Sequence, residues 1–162
     1  GGAFVTNSSA ANAYGVYAQM PVGSVGWAGY FSGDAIATGA FFNGSDIKLK
    51  SNILPIANAI DKLKQIKGLT YDIKPELVEK FGLSNKRSIG VLAQDIEAVF
   101  PELIKESQFS SKLVPKMGEP STNIETIDVK TVNYTGLIPV LIEAIKEQQK
   151  QIETLQQQLQ KR

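Results

Sequence analysis

The chain has 162 residues, and its 17 basic and 16 acidic side chains leave a formal net charge of +1. This balance gives no electrostatic footprint for nucleic acid, and no run reaches the roughly 18 to 20 apolar residues that span a membrane. Histidine and cysteine are absent, which excludes disulfides and most transition-metal sites and leaves carboxylates, lysine, tyrosine and hydroxyls for any catalysis, with no cofactor expected.

Charge is distributed very unevenly. Residues 1–44 contain a single charged side chain, Asp34, and the other 32 charged residues all lie in residues 45–162. The first segment is also rich in glycine, alanine and aromatic residues, and runs such as residues 25–31 predict short strands with tight turns. A segment this aromatic is not a disordered linker, and a small sheet of this kind is marginal by itself in water. We therefore predict that it packs against copies of itself as the end of a β-structured fibre, with an edge sheet folded onto the same chain as the alternative.

Residues 45–131 alternate between helical and strand patterns. An apolar stripe formed by Ile53, Ile56, Ile60 and Leu63 predicts a helix with Pro55 in its first turn and Gly68 as its stop. Further along the chain we predict a strand at 69–73, a helix at 75–81 closed by Gly82, a buried strand at 88–92, a helix at 94–100 stopped by Pro101, a loop or protruding hairpin at 105–123 and a strand at 124–132.

The C-terminus, residues 132–162, has a heptad repeat. Apolar residues recur in steps of four and three, and from Gln148 onward the flanking residues are nearly all Gln, Lys and Glu. Such a helix end has nothing to pack on except other helices like itself, which predicts a coiled coil. Its core positions are Ile138, Leu141, Ile145, Gln148, Ile152, Leu155 and Leu159, preceded at the same spacing by Tyr134. The heptads do not fix the number of strands, and Ile at one core position with Leu at the other leans toward two.

Ser45 and Lys50 are the one pair of residues that suggests chemistry. A serine needs a base to attack an amide, and in a chain without histidine a lysine is the best candidate. Its amine must then be neutral, a form that burial or the nearby Lys48 would favour. Residues five apart do not share a helix face, so we expect the two side chains to meet across a turn or a helix start. From the spacing alone, a helix-capping serine and a solvated lysine are the simpler interpretation.

Three motifs occur in a specific order. Residues 45–53 follow directly on the Gly-rich segment, residues 90–96 are followed by Phe100 and Pro101, and residues 132–146 open the terminal heptads. In this order they resemble the endosialidase-type intramolecular chaperone domain, which lies at the C-terminus of bacteriophage tail fibres and tailspikes. A related domain occurs in a membrane-tethered animal transcription factor. The resemblance covers residues 45–162.

The resemblance implies a homotrimer that aligns three chains of an upstream fibre and then cuts itself off. Carried onto this chain, Ser45 is the nucleophile, Lys50 is the general base and Gly44–Ser45 is the scissile bond. The family commonly has arginine at the position of Lys48, a departure that lies outside the dyad. The implied location is a tail fibre or tailspike precursor of the virion, assembled in the host cytoplasm, with the released chaperone absent from the mature particle.

The expected fold is therefore α+β in an intertwined homotrimer. Residues 1–44 form the end of a β-structured fibre, residues 45–131 the chaperone and autoprotease body, and residues 132–162 the trimeric coiled coil. The expected partners are copies of the chain and its own upstream fibre, with no nucleic acid and no membrane. Two alternatives stay open, a structural trimerisation module that is not cut and a receptor-binding fibre tip with residues 105–123 as its recognition loop.

Overall fold

The computed structural model describes residues 16–23, 27–29, 31, 34–111 and 125–161. Backbone contacts divide the chain into two units, Gly1–Ala35 and Ile36–Arg162. The described residues of the first unit contain no helix or strand. The fibre strands predicted for residues 1–44 fall largely on residues outside the described ranges, and the β-structured fibre stays a prediction.

The second unit is a mixed α+β body with small sheets and a long C-terminal helix, as the sequence predicts. Three short 3-10 turns, Ile47–Leu49, Pro101–Leu103 and Tyr134–Gly136, separate the regular elements. Those elements are α1 (Ala59–Leu63), β1 (Leu69–Tyr71), α2 (Pro75–Phe81), β2 (Ser88–Gly90), α3 (Ala93–Val99), β3 (Ile104–Ser110), β4 (Thr126–Val132) and α4 (Leu137–Gln160).

The strands form two separate antiparallel pairs. In the first pair Leu69 lies opposite Gly90 and Tyr71 opposite Ser88. The sequence predicted a buried strand here, and this was wrong, because Ile89 is 83% exposed. A two-stranded sheet with no third layer leaves one of its faces in water.

The second pair, β3 and β4, runs in register from Ile104 opposite Val132 to Ser110 opposite Thr126. Of the two structures predicted for residues 105–123, the hairpin is the one whose strands form. The strand begins one residue earlier, at Ile104, and residues 112–124 lie outside the described ranges.

Helix α1 is shorter than the sequence predicts. It begins at Ala59, so Pro55 is outside it and Ile53 is exposed to solvent. The cause is Asn58, whose backbone is left-handed with φ 56° and ψ 40°. A left-handed residue interrupts a right-handed helix, and asparagine adopts this conformation more readily than most residues. The apolar residues therefore keep helical spacing across a position where the backbone itself is not helical.

Helix α2 follows its local signals closely. Pro75 stands in its first turn, and Gly82 closes it in the left-handed conformation with φ 67°, its N–H donating to the carbonyl of Val78. Proline is favoured in the first turn of a helix and glycine in the left-handed position that ends one. The predicted bounds of this helix are confirmed.

The core lies where α1 and α3 pack against the first half of α4. One cluster of buried side chains joins the three helices, made of Ala59, Ile96, Phe100, Val140 and Ala144. Val140 and Ala144 are one helical turn apart, so a single stripe of α4 faces this core.

The predicted C-terminal helix is confirmed as α4, 24 residues long. It begins after Tyr134, which the sequence placed in the heptads; Tyr134 lies in the preceding 3-10 turn, where Asn133 accepts a hydrogen bond from the N–H of Gly136. The apolar heptad positions lie on a face of α4 next to the one that meets the core, and in the single chain they are exposed. Neither α4 nor any other described helix combines the length and hydropathy of a membrane span.

Candidate active site

The structure brings Ser45 and Lys50 together. Nζ of Lys50 donates a hydrogen bond to Oγ of Ser45 at 2.8 Å. A single 3-10 turn, Ile47–Leu49, lies between them, with Lys50 in extended conformation at its end. The turn is short and Lys50 lies beyond it, so the long lysine side chain reaches back over five positions, a spacing that does not share a face on a regular α-helix.

Asp46 holds this turn in place. Its carboxylate accepts the N–H of Lys48 at 2.8 Å, and its backbone carbonyl accepts the N–H of Leu49 at 3.0 Å. The helix cap that the sequence allowed for Ser45 is thus provided by Asp46 instead. The hydroxyl of Ser45 is left to contact Lys50.

The distance fits general-base chemistry. A base must lie within about 2.6 to 3.2 Å of the hydroxyl whose proton it removes. Oγ of Ser45 also belongs to the residue that directly follows the Gly44 carbonyl, so the nucleophile and its target are neighbours in the chain. The catalytic roles of Ser45 and Lys50 and the cleavage site at Gly44–Ser45 stay predictions.

Glycine at position 44 is not demanded by space in this structure. A Cβ added there would lie 3.4 Å from Cδ1 of Leu49, an ordinary van der Waals distance. Any preference for glycine would therefore come from access to the carbonyl and not from packing.

The surroundings of the pair are open. Both side chains are exposed, and the aliphatic neighbours in the turn, Ile47 and Leu49, are 72% and 73% exposed. Within the described ranges, no part of the same chain covers the pair. A dry environment, which favours a neutral amine, is therefore not provided by the described residues of the single chain.

The predicted coiled-coil residues form one continuous stripe. Ile145 is 63% exposed, and the same outward side of α4 holds the other predicted core positions, namely Ile138, Leu141, Gln148, Ile152, Leu155 and Leu159. An apolar stripe of this length on a helix surface is typical of an interface. Its role as a trimer core stays a prediction.

One residue that the sequence did not single out is Glu147. Its carboxylate accepts the N–H of Ala59 and the N–H of Ile60, each at 3.0 Å, across 88 and 87 positions of the chain. These hydrogen bonds, first that of Ile60 and then that of Ala59, lower the pKa of Glu147 against the opposing effects of burial and of the Asp61 carboxylate. No local pattern could have predicted this contact, because it depends on tertiary packing.

Comparison with known proteins matches the same region. Residues 45–105 match the Peptidase S74 family, described as chaperone of endosialidase. The long tail fiber protein Gp37 of Salmonella phage S16 is 33% identical over 115 residues, which are 71% of this chain and 13% of that protein. Gp37 of Enterobacteria phage K3 is 31% identical over 115 residues, 71% of this chain and 8% of that protein.

Myelin regulatory factor homolog 1 of Caenorhabditis elegans is 33% identical over 79 residues, 46% of this chain and 8% of that protein. The chain therefore spans only a small part of each of these relatives. The resemblance to endosialidase-type chaperones is confirmed, and residues 45–105 carry a chaperone domain of this type, in a family that is named as a peptidase.

Proposed function

We propose that this chain is an intramolecular chaperone that trimerises, aligns an upstream tail fibre or tailspike and then releases itself by cutting its own Gly44–Ser45 bond. The observation that carries the proposal is the 2.8 Å contact between Lys50 Nζ and Ser45 Oγ, at the very start of the family match. The similarity to two long tail fiber proteins, of which the chain spans only 13% and 8%, supports a tail fibre as the segment that the chaperone would align.

The cut proceeds through the residue that follows the scissile bond. Oγ of Ser45 attacks the carbonyl carbon of Gly44 while the neutral amine of Lys50 takes the hydroxyl proton. The C–N bond of the amide breaks as an ester to Oγ forms, and the proton passes to the nitrogen of Ser45. Water then hydrolyses the ester, which leaves a carboxylate on Gly44 and a free amine on Ser45.

Association would come from the outward stripe of α4. Three copies joined through residues 137–160 hold their upstream segments at high effective concentration, which makes fibre pairing in effect intramolecular. Intertwined β-structure forms slowly because its contacts are distant in sequence, so registration speeds the correct assembly. Once the chaperone has left, refolding is no longer assisted and the fibre is held by kinetic stability.

The test is to incubate the purified full chain under native conditions and to measure intact masses over time. We expect fragments 1–44 and 45–162, and we expect Ser45→Ala to stay whole while sedimenting as the same oligomer. Hydroxylamine, which attacks esters, is expected to speed the release of fragment 1–44 as its hydroxamate.

A wild-type chain that remains whole throughout, in the same oligomeric state as Ser45→Ala, would contradict the proteolytic half of the proposal. That result would favour a structural trimerisation module. A chain that is cut but sediments as a monomer would contradict the chaperone half.

A further inference from the structure

The connection between the dyad and the body of the domain is thin. We call residues 44–50 the dyad segment and residues 51–58 the connector. Among the described residues, positions 51–57 of the connector form no hydrogen bond with the rest of the chain. The connector is held by Ile56, which packs against the core cluster, and by the start of α1.

Glu147 fixes that start. The N-cap residue of α1, Asn58, provides no side-chain hydrogen bond to the helix. The two oxygens of Glu147 accept one N–H each, from Ala59 and from Ile60, both at 3.0 Å. A carboxylate bound through both oxygens fixes the direction of the groups that it binds as well as their distance. Ala59 is fully buried in the cluster that includes Ala144, so the same end of α1 is held to α4 by packing too.

Glu147 also lies next to residues of α4 that are predicted to contact other copies of the chain. The residue stands between Ile145 and Gln148, two of the outward positions predicted to meet other copies of the chain. Glu147 itself points to α1, beside a groove that Asp61 and Lys150 also line. The same turn of α4 therefore contacts α1 through Glu147 and carries two residues of the outward stripe, Ile145 and Gln148.

We infer that Glu147 is a positioning residue for the self-cleavage, which sets where the dyad segment lies relative to the associated α4 helices. The local turn at Ile47–Leu49 sets the distance from Ser45 to Lys50. Glu147 sets the direction in which the connector leaves the body, and so decides whether the exposed dyad segment reaches the dry surroundings that other copies provide. This inference rests on the proposed function.

The experiment uses the full chain and compares Glu147→Ala, Glu147→Gln and wild type. The first-order rate of appearance of fragment 45–162 is measured together with sedimentation and thermal unfolding. We expect Glu147→Ala to slow the cut by about tenfold or more, because small misplacements of reacting groups cost rates of this order. Glu147→Gln keeps one acceptor oxygen, and we expect it to restore part of the rate.

Two controls separate positioning from general stability. Glu153→Ala removes another carboxylate of α4, one that accepts a hydrogen bond only from the side chain of Gln149, and we expect the wild-type rate. Phe81→Leu loosens the packing of a buried side chain of α2, which is not part of the cluster that holds Ala59. We expect it to lower the unfolding temperature without slowing the cut at temperatures well below unfolding.

The outcomes distinguish the two proposals. If wild type is cut and Glu147→Ala is cut at the same rate, or if Phe81→Leu slows the cut as much as Glu147→Ala, the positioning role is overturned and the proposed function stands. If wild type is never cut, the proposed function fails, and amide exchange of Ala59 and Ile60, whose N–H groups bind Glu147, decides whether Glu147 holds the start of α1. Equal amide exchange at these positions in wild type and Glu147→Ala would show that Glu147 does not hold the start of α1, and would overturn the positioning role as well.

Discussion

Lys50 reaches back across one 3-10 turn to place its amine 2.8 Å from the hydroxyl of Ser45. The turn that makes this possible is held by Asp46, which is neither the nucleophile nor the base. Short-range backbone geometry therefore accounts for the pairing of the two side chains. Both side chains are exposed, so the part of the chain that the structure describes does not enclose them.

The first prediction concerns the amine of Lys50. Lys50→Met keeps most of the side-chain length but removes the base, so we expect the cut to slow by about 100-fold or more. Intact mass over time provides the measurement. Lys48→Met is the matched comparison: it leaves the contact with Ser45 in place and removes only a nearby charge that would favour the neutral amine, so we expect a smaller loss than in Lys50→Met. Equal losses in both variants would mean that charge near the turn matters and not the dyad.

The second prediction concerns the outward stripe of α4. Ile152→Asp puts a charge where copies are predicted to meet, and we expect the trimer to dissociate because a buried unpaired charge is strongly unfavourable. The α+β body should keep its fold, since Ile152 is not part of the core cluster. Sedimentation and circular dichroism measure the two effects. Gln157→Asp, at the outermost heptad position, should leave the trimer intact; loss of assembly in both variants would argue against the heptad register.

The third prediction concerns the acid stability that depends on Glu147. Its pKa is lower in the folded chain than the usual 4.5 because it accepts the N–H groups of Ile60 and Ala59. The resulting stabilisation is complete above pH 4.5 and is lost as the pH falls through the folded-state pKa. In a Ser45→Ala background, Glu147→Gln should therefore be less stable near neutral pH, and its deficit should shrink in acid.

Denaturant unfolding at a series of pH values measures this difference. Asp61 and Lys150 line the same groove as Glu147, so each needs its own Asn or Met variant to assign the slope. A deficit of Glu147→Gln that stays constant from neutral pH down to the acid range would show that the carboxylate charge is not involved.

The fourth prediction concerns close packing at Gly90. A Cβ added there would lie 2.6 Å from the hydroxyl of Tyr134 and 3.2 Å from the ring of Tyr71. We expect Gly90→Ala to destabilise the body by about 1 to 3 kcal/mol, the usual range for overpacking. Gly68→Ala is the control, since a Cβ there meets nothing within 4 Å.

A second variant isolates the clash. Tyr134 accepts the N–H of Val91 at 3.3 Å, so Tyr134→Phe alone should cost about 0.5 to 1.5 kcal/mol. Because Tyr134→Phe also removes the atom nearest to the new methyl group, the double variant should lose less than the sum of the single variants. Additive losses, measured by denaturant unfolding, would refute the contact.

The elements that could be predicted from the sequence are those whose signals are local. Pro75 and Gly82 mark the ends of α2, and the long heptad pattern marks α4, because each signal acts within a few residues of the backbone that it shapes. The start of α1 could not be predicted, since Ile53 and Ile56 have helical spacing but Asn58 is left-handed between them and the helix.

The candidate site divides in the same way. The Ser45–Lys50 spacing indicated a turn, and a turn is what joins them. The link from Glu147 to Ala59 spans 88 positions, and one glutamate among the acidic residues of α4 has nothing in its neighbourhood to distinguish it. The carboxylate of Glu147 reaches the N–H groups of Ala59 and Ile60 because α1 packs on α4.

Every side chain of the buried cluster, from Ala59 to Ala144, lies on the same side of the Gly44–Ser45 bond. Hydrolysis of that bond would divide the polypeptide without opening the cluster or removing a member of it. The piece that begins at Ser45 would keep its folded interior and gain only a new charged amine at an exposed end. The piece that begins at Ser45 would then not have to unfold in order to separate from the other.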